Sequence, residues 1–303
     1  MLDVFLNVIL PVFVVAGLAG LFQRWRQLPV APLNQTTLWL FSPAFIFTHL
    51  TSQNLAAGAS LRVVGAVSLG IFLILIVSYV FSKLMRHTRD TRSAYLLAGG
   101  FPNAGNMGIP VLLLAFGDAG VAPAIIVFVT HSVVGFVLAI FIAARSQLNG
   151  ISPLLQVFKL PVLYSVVAAF LVSGFGWELP LAVSEPIRIL ASAAIPVMLI
   201  VLGFQLGSGI QLQQSGSLST AIFLRLIISV PLSYLATLVF GLEGLAQGAV
   251  IIVGAMPTAI YTTILATEFK ANPQFLTSAV IVGTAISIAT LTVVVTIVRN
   301  LVI

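Results

Sequence analysis

The chain lacks cysteine altogether and has few charged residues of either sign. Of its 303 residues none is Cys, three are His, and only 7% are Asp, Glu, Lys or Arg, whereas soluble domains average about 25% charged residues. The missing thiols exclude disulfides, cysteine nucleophiles and cysteine metal ligands, and three scattered histidines speak against a histidine metal cluster. We therefore predict no metal site and no cofactor.

What the chain has in abundance is hydrophobic residues, at 60% of the sequence. So apolar a composition cannot cover a water-exposed surface, and it predicts an all-α integral membrane protein with the lipid bilayer as a partner. The net charge of +6 indicates nucleic acid only where basic residues cluster on a soluble face. Here they lie in short loops, so no nucleic-acid partner is predicted.

Ten segments are long and apolar enough to cross a membrane, which takes about 20 residues each. They lie at residues 4–22, 33–52, 61–82, 93–115, 121–143, 155–174, 184–206, 218–240, 245–267 and 274–298. The N-terminus lacks the basic region of a signal peptide, so we expect the first span to be retained.

The basic residues favour one side of the membrane. If the N-terminus is outside, nine of the thirteen Lys and Arg residues fall in cytoplasmic loops, as the positive-inside rule requires. These are Arg24, Arg26, Lys83, Arg86, Arg89, Arg92, Arg145, Lys159 and Lys270. We predict a multi-pass protein of the cell membrane (inner or plasma membrane) with both termini outside.

Weak sequence matches relate the two halves of the chain. Ser78 and Pro102 recur as Ser233 and Pro257, both after 155 residues. These matches predict two five-helix repeats, residues 1–150 and 151–303. Because five is odd, the second repeat would enter the membrane inverted. The alternative is that prolines simply kink unrelated helices.

The fourth and ninth predicted spans each contain helix-breaking residues near their middle. Proline removes a backbone donor and glycine loosens the backbone, so we predict helix breaks at Pro102, Gly108, Pro110 and Pro257. Unpaired peptide groups in a membrane survive only where they line a cavity or are buried in protein. Paired breaks in two halves are typical of a transporter's binding site near the midplane.

Each break exposes a helix N-terminus, whose free N–H groups and dipole attract anions. Two such ends facing each other would form an anion site without Lys or Arg. The residues that we predict to bind substrate there are Asn103, Gly105, Asn106, Thr258, Tyr261 and Thr262. In the alternative interpretation these polar groups only satisfy the broken backbone.

Ionisable groups within the spans are few. Every Asp and Glu lies at a loop or membrane edge, so no carboxylate is available at depth for proton transfer. His131 is the candidate for a proton role, or it is a structural donor. For Arg225 we favour snorkelling to the cytoplasmic interface; alternatively it faces the cavity and attracts anions. Sodium could also bind through carbonyl, Asn and Thr oxygens.

The ten spans, the run from Phe101 to Pro110 and the Met256–Ala259 segment together resemble the auxin efflux carrier family. The family includes plant auxin exporters and bacterial malonate and malate permeases. The resemblance implies inverted five-helix repeats whose broken helices 4 and 9 cross, as in bile-acid symporters and Na⁺/H⁺ antiporters. It further implies a scaffold part, a moving transport part, elevator-like movement, small organic anion substrates and a homodimer.

We therefore predict a secondary carrier, not an enzyme, for small organic anions such as auxin-like monocarboxylates or malonate- and malate-type dicarboxylates. No ATP-binding motif is present, so the driving force would be an H⁺ gradient, an Na⁺ gradient or the membrane potential. Two other classes stay open. A passive anion channel could also use paired half-helices, and an intramembrane hydrolase would need a catalytic constellation around His131.

Overall fold

The computed structural model describes residues 1–52, 57–144, 161–209 and 215–302, and it is helical throughout these ranges apart from turns and two interruptions. Pro102 and Thr258 form an isolated β-bridge, and the described ranges contain no strand. The predicted all-α fold is thus confirmed. Arg145, Lys159 and the predicted repeat boundary at residue 150 lie outside the described residues.

The helices are numbered here in chain order through the described ranges. They are α1 (Leu2–Arg26), α2 (residues 30–51), α3 (Ala57–Leu84), α4 (Arg89–Gly100), α5 (residues 104–116), α6 (residues 121–144), α7 (Pro161–Gly174), α8 (Leu181–Gly207), α9 (residues 215–239), α10 (Gly244–Gly254), α11 (Tyr261–Glu268) and α12 (Pro273–Val302). Several contain a π-helical turn, among them Ala104–Gly108 at the start of α5 and Leu224–Ile228 within α9.

Six helical stretches of the described residues are long and apolar enough to cross a membrane: Leu2–Arg26, Leu61–Leu84, Ala104–Ala143, Leu181–Gly207, Gly216–Val239 and Pro273–Val302. Pro161–Gly174 and Gly244–Gly254 are shorter apolar helices. A polytopic membrane protein is therefore confirmed, and the count of ten spans stays a prediction.

The stretch from Ala104 to Ala143 folds back on itself at the 3₁₀ turn Gly117–Gly120. A side chain at Gly105 would meet the ring of Phe128 at 2.8 Å. In one straight helix these residues would be roughly 35 Å apart. α5 and α6 are consequently separate, packed helices.

Large apolar side chains cover much of the outer surface. Leu18, Leu21 and Phe141 are each more than 60% exposed. Exposed apolar surface on this scale marks a membrane or interaction surface rather than a water-facing one, so these side chains are suited to contact lipid.

The helices pack as two groups. In the first group α1 packs on α8, α8 on α2, and α2 on α7; in the second, α3 packs on α4, α6 and α9, α10 packs on α9 and α12, and α11 packs on α12 and α6. In the first group α1 and α8 approach closely at small residues: a Cβ at Gly203 would lie 2.2 Å from the Ala16 carbonyl oxygen, and one at Gly207 would lie 2.5 Å from that of Gly20. Such small-residue contacts are typical of membrane helix pairs.

The two ends of the chain lie together. Arg299, near the end of α12, donates to the Asp3 carboxylate at the start of α1 over 3.0 Å. Because both side chains are partly exposed, the ion pair adds little stability. It does place the two termini on the same side of the molecule.

Candidate functional site

The first interruption lies between α4 and α5. α4 ends at Gly100, Phe101 is extended, and helical geometry resumes at Ala104. Pro102 cannot donate a helical hydrogen bond, which accounts for the position of the break. No side chain caps the new helix start, so the N–H groups of its first turn lack the usual side-chain acceptor.

The second interruption separates α10, which ends at Gly254, from α11, which begins at Tyr261. Pro257 lies in its middle. Here the N–H groups of Thr262 and Thr263 bond to the carbonyls of Ala259 and Ile260 over 3.3 and 3.0 Å. The backbone N–H groups at the start of α11 therefore largely have acceptors within the same segment.

The two interruptions pair with each other in antiparallel fashion. The Asn103 N–H donates to the Pro257 carbonyl over 2.7 Å, and the Ala259 N–H donates to the Phe101 carbonyl over 2.8 Å. Pro102 and Thr258 are the bridged residues between these bonds. Each break thus satisfies backbone groups that the other leaves open.

A cavity of about 100 Å³ adjoins the first interruption, with room for several water molecules. Its lining comes from the first break, α6, the second break, α2 and α8. The lining residues are Asn34, Thr37, Leu38, Ser42, Pro102, Asn103, Ala104, Gly105, Asn106, Phe128, His131, Ser132, Phe136, Met198, Ala259, Ile260 and Tyr261. None of these described residues is Asp, Glu, Lys or Arg.

Three polar atoms around this cavity are buried without a hydrogen-bond partner: Asn103 Nδ2, His131 Nδ1 and the Tyr261 hydroxyl. Asn103 and His131 are 4% and 8% exposed. A buried polar group without a partner costs about 1–3 kcal/mol, and native proteins rarely leave one so. Three at one cavity indicate that something polar belongs in it.

Gly135 lies beside two of these groups. A Cβ there would lie 3.6 Å from His131 Nδ1 and 3.7 Å from the Tyr261 hydroxyl oxygen. The Tyr261 ring is held by Phe101 and Phe136, whose centroids lie 6.3 and 5.6 Å from its own. The Tyr261 hydroxyl and His131 Nδ1 thus both lie next to Gly135.

The structure brings most predicted substrate residues together. Asn103, Gly105, Asn106 and Tyr261 line the cavity, together with His131. Thr258 and Thr262 are fully buried and line no part of it: their hydroxyls donate to the Ala98 and Ala259 carbonyls over 2.8 and 2.6 Å. These hydroxyls satisfy the broken backbone in this structure.

Two expectations require correction. Gly108 and Pro110 are not at a break, because Gly108 ends the π-turn Ala104–Gly108 and Pro110 lies in the first turn of the α-helix that follows, where proline is tolerated. Only Pro102 and Pro257 lie in the interruptions. The snorkelling interpretation of Arg225 is wrong, since this side chain is 2% exposed and donates to the Gly99 and Gly254 carbonyls.

Four polar lining residues are absent from the sequence-based set. Asn34, Thr37 and Ser42 lie on α2, and Ser132 lies on α6 next to His131. The Thr37 and Ser132 hydroxyls donate within their own helices. Asn34, Thr37 and Ser42 share a face at helical spacing within an otherwise apolar span, and this pattern could have pointed to them.

Known proteins that are similar to this chain in sequence are membrane transporters. The family described as "Membrane transport protein" matches residues 4–147 and 147–295 of the chain. An "Uncharacterized transporter" of Methanocaldococcus jannaschii is 23% identical over 84% of this chain and 85% of its own length. The "Uncharacterized transporter YfdV" of Escherichia coli K12 is 24% identical over 89% and 90%.

A third relative, named "Putative malonate transporter", comes from Rhizobium meliloti and is 22% identical over 69% of this chain and 68% of its own. The family and these relatives are transporters rather than enzymes. Together with the apolar helices and the paired interruptions, the match shows that this multi-pass membrane protein belongs to the membrane transport protein family, the auxin efflux carrier family that its break motifs resemble.

Proposed function

We propose that this protein is a secondary carrier of small organic anions, which bind in the cavity beside the first interruption. The observation that carries the proposal is the set of three buried, unpartnered polar atoms on Asn103, His131 and Tyr261. The Asn103 amide and the Tyr261 hydroxyl are donors, and the start of α5 adds a positive dipole end, although its first N–H group, that of Ala104, donates to the Pro102 carbonyl over 2.8 Å. A carboxylate supplies the acceptors that these groups lack.

Malonate is the first substrate to test, because one relative carries a malonate transporter's name. Malate and auxin-like monocarboxylates present the same carboxylate chemistry. The carboxyl-free lining suits an anion, since no neighbouring Asp or Glu would repel it.

Two inverted five-helix repeats are the architecture that we propose around this site. A Cβ at Gly99 would meet the Ser78 hydroxyl oxygen at 2.6 Å, and one at Gly254 would meet that of Ser233 at 2.1 Å. Both pairs are related by the same offset of 155 residues as Pro102 and Pro257. An antiparallel pairing of the two breaks also fits halves that enter the membrane in opposite senses.

Elevator-like alternating access is the proposed mechanism. The cavity lies between the two helix groups: Asn34 and Met198 line it from the first group, and Asn103, His131 and Tyr261 line it from the second. Movement of the second group along the first would carry a bound anion across. The co-located termini support an even number of spans, and the basic loops support termini on the outside. A homodimer stays a prediction.

Ligand-induced thermal stabilisation of the purified protein tests the binding step, because a ligand selective for the folded state raises Tm. We expect malonate, malate or indole-3-acetate to raise Tm in wild type and not in Asn103→Ala. Stabilisation by cations alone would contradict an anion site.

Counterflow in proteoliposomes tests the carrier mechanism. Vesicles preloaded with the stabilising anion should accumulate labelled anion transiently and saturably, whereas a passive channel would only equilibrate it. The pH dependence of uptake should change in His131→Gln if His131 carries a coupled proton. An unchanged profile would exclude that role.

A further inference from the structure

Arg225 is a buried cation without an acidic partner. It lies in the π-turn of α9 and is 2% exposed. The ion pairs within the described ranges are Arg188 with Glu185 and Arg299 with Asp3. An uncompensated buried charge is strongly unfavourable, so other groups must stabilise the guanidinium.

Backbone carbonyls take this role. Arg225 Nη1 donates to the Gly99 carbonyl over 3.2 Å, and Nη2 donates to the Gly254 carbonyl. Gly99 and Gly254 lie at the C-terminal ends of α4 and α10. The last carbonyls of a helix have no partner within it, and each helix end carries about half a negative charge. One guanidinium thus faces two negative helix ends.

The two carbonyls are equivalent in the proposed repeat. Gly99 and Gly254 are 155 residues apart, and the counterpart of Arg225 at that offset is Gly70. Gly70 and Arg225 line the same small cavity, of about 20 Å³. A single guanidinium therefore binds the equivalent carbonyls of both halves from a position between them. At the equivalent position of the first half, Gly70 has no side chain, so no second cation competes for the same space.

We propose that Arg225 is a built-in cation that takes the place of an exchangeable coupling cation between the two half-helix ends. Carbonyl oxygens at converging helix C-termini are ligands for Na⁺ in transporters, but here the guanidinium uses them. The remaining cavity has room for about one water molecule, and the fixed charge repels a second cation. The inference rests on the proposed carrier function, and it predicts anion transport that needs no Na⁺.

The test uses the full-length protein, with malonate as the probe for uptake and guanidinium as the probe for the cation position. Wild-type malonate uptake into proteoliposomes should be equal in Na⁺, K⁺ and choline media. Arg225→Ala should lower Tm and reduce uptake roughly tenfold or more, because two buried carbonyls lose charge-assisted bonds. Millimolar guanidinium should restore both quantities in part.

Matched controls separate a specific site from a general salt effect. Arg188→Ala removes an exposed arginine of a membrane helix, and neither it nor wild type should respond to guanidinium. Arg225→Lys keeps a positive charge, so it should retain measurable uptake without Na⁺. If Arg225→Ala cannot be purified, Arg225→Lys and the neutral Arg225→Met decide the question.

Three results would overturn the inference: a strict Na⁺ requirement in wild type, wild-type Tm and uptake in Arg225→Met, or an Na⁺ requirement newly present in Arg225→Lys. A Tm of Arg225→Ala that guanidinium leaves unchanged would also count against it. The Tm measurements need no substrate. Absence of malonate uptake in wild type would therefore contradict the malonate proposal and leave the Arg225 inference to the Tm comparison.

Discussion

The two interruptions differ in how they satisfy their polar groups. At the second, the Thr262 and Thr263 hydroxyls donate to the Ala259 and Ile260 carbonyls of the break itself, and the Thr258 hydroxyl donates to the Ala98 carbonyl of α4. At the first, the Asn103 side-chain amide has an unpaired N–H group and no side chain caps the helix start. We call the second break closed, because its threonine hydroxyls all have backbone acceptors, and the first break open, because the Asn103 amide beside the cavity has no acceptor.

This difference indicates a division of roles between two segments of similar geometry. The second break stabilises the pairing of the two interruptions, and next to it the Tyr261 hydroxyl lies at the cavity without a hydrogen-bond partner. The first break contributes most of the polar contacts that a ligand can use. Mutations at the two breaks should therefore separate stability from transport.

Asn103→Ala should have the largest effect on transport. Losing a hydrogen bond to a charged ligand costs about 1.5–3 kcal/mol, so malonate uptake at low concentration should fall roughly 10- to 100-fold. Tm without ligand should stay equal or rise, because a buried unpaired amide is removed. Uptake in proteoliposomes and Tm by fluorescence check both halves of the prediction. A lower Tm with normal uptake in Asn103→Ala would contradict the prediction, because it would give the first break a role in stability rather than in transport.

Tyr261→Phe should come next, with uptake reduced roughly tenfold, because it removes one donor to the charged ligand, at the lower end of the same range of about 1.5–3 kcal/mol. The ring contacts with Phe101 and Phe136 would be kept, so Tm should change little. The ratio of uptake rates at low and saturating malonate would show whether binding is affected. Unchanged uptake at low malonate would remove Tyr261 from the site.

Thr258→Val is the counterpart at the closed break. Its hydroxyl donates to the buried Ala98 carbonyl over 2.8 Å, so removing it should destabilise the protein by about 1–2 kcal/mol. Malonate affinity of the folded protein, measured by the concentration dependence of the Tm shift, should stay within about twofold of wild type. A selective loss of affinity with unchanged stability would restore Thr258 as a ligand residue.

The smallest effect that we predict concerns His87, in the loop between α3 and α4. Both of its ring nitrogens have a Ser hydroxyl as hydrogen-bond partner, whereas His131 Nδ1 has no partner. Partial burial, and then the Arg92 charge, lower the pKa of His87 below its ordinary value of 6.5. The unfolded chain therefore binds the proton more readily, and stability should fall as the pH drops below about 6.5.

In His87→Gln this part of the fall in Tm should disappear, while Tm values above neutral pH differ only by a constant. Malonate uptake should keep its wild-type pH profile. Tm scans across the acidic range check the first statement. A wild-type slope retained in His87→Gln would assign the pH response to another group.

Much of the site was predictable because its residue types are unusual for a membrane span. Pro102 and Pro257 identify the breaks, and Asn103, Asn106, Tyr261 and His131 are polar groups in apolar surroundings. Asn34, Thr37 and Ser42 were missed because α2 is remote in sequence from either break. Only packing places their shared face against the first one.

By itself the sequence determined that the chain is an all-helical membrane protein, that its helices are interrupted at Pro102 and Pro257, and to which family it belongs, because these properties depend on composition and local backbone chemistry. The tertiary structure decided which polar groups have hydrogen-bond partners within the protein and which are left without one beside the cavity. Thr258 and Asn103 are equally polar in the sequence, yet only the fold supplies Ala98 to one and a cavity to the other. It also decided the role of Arg225, since the carbonyls of Gly99 and Gly254 converge only after both halves have packed.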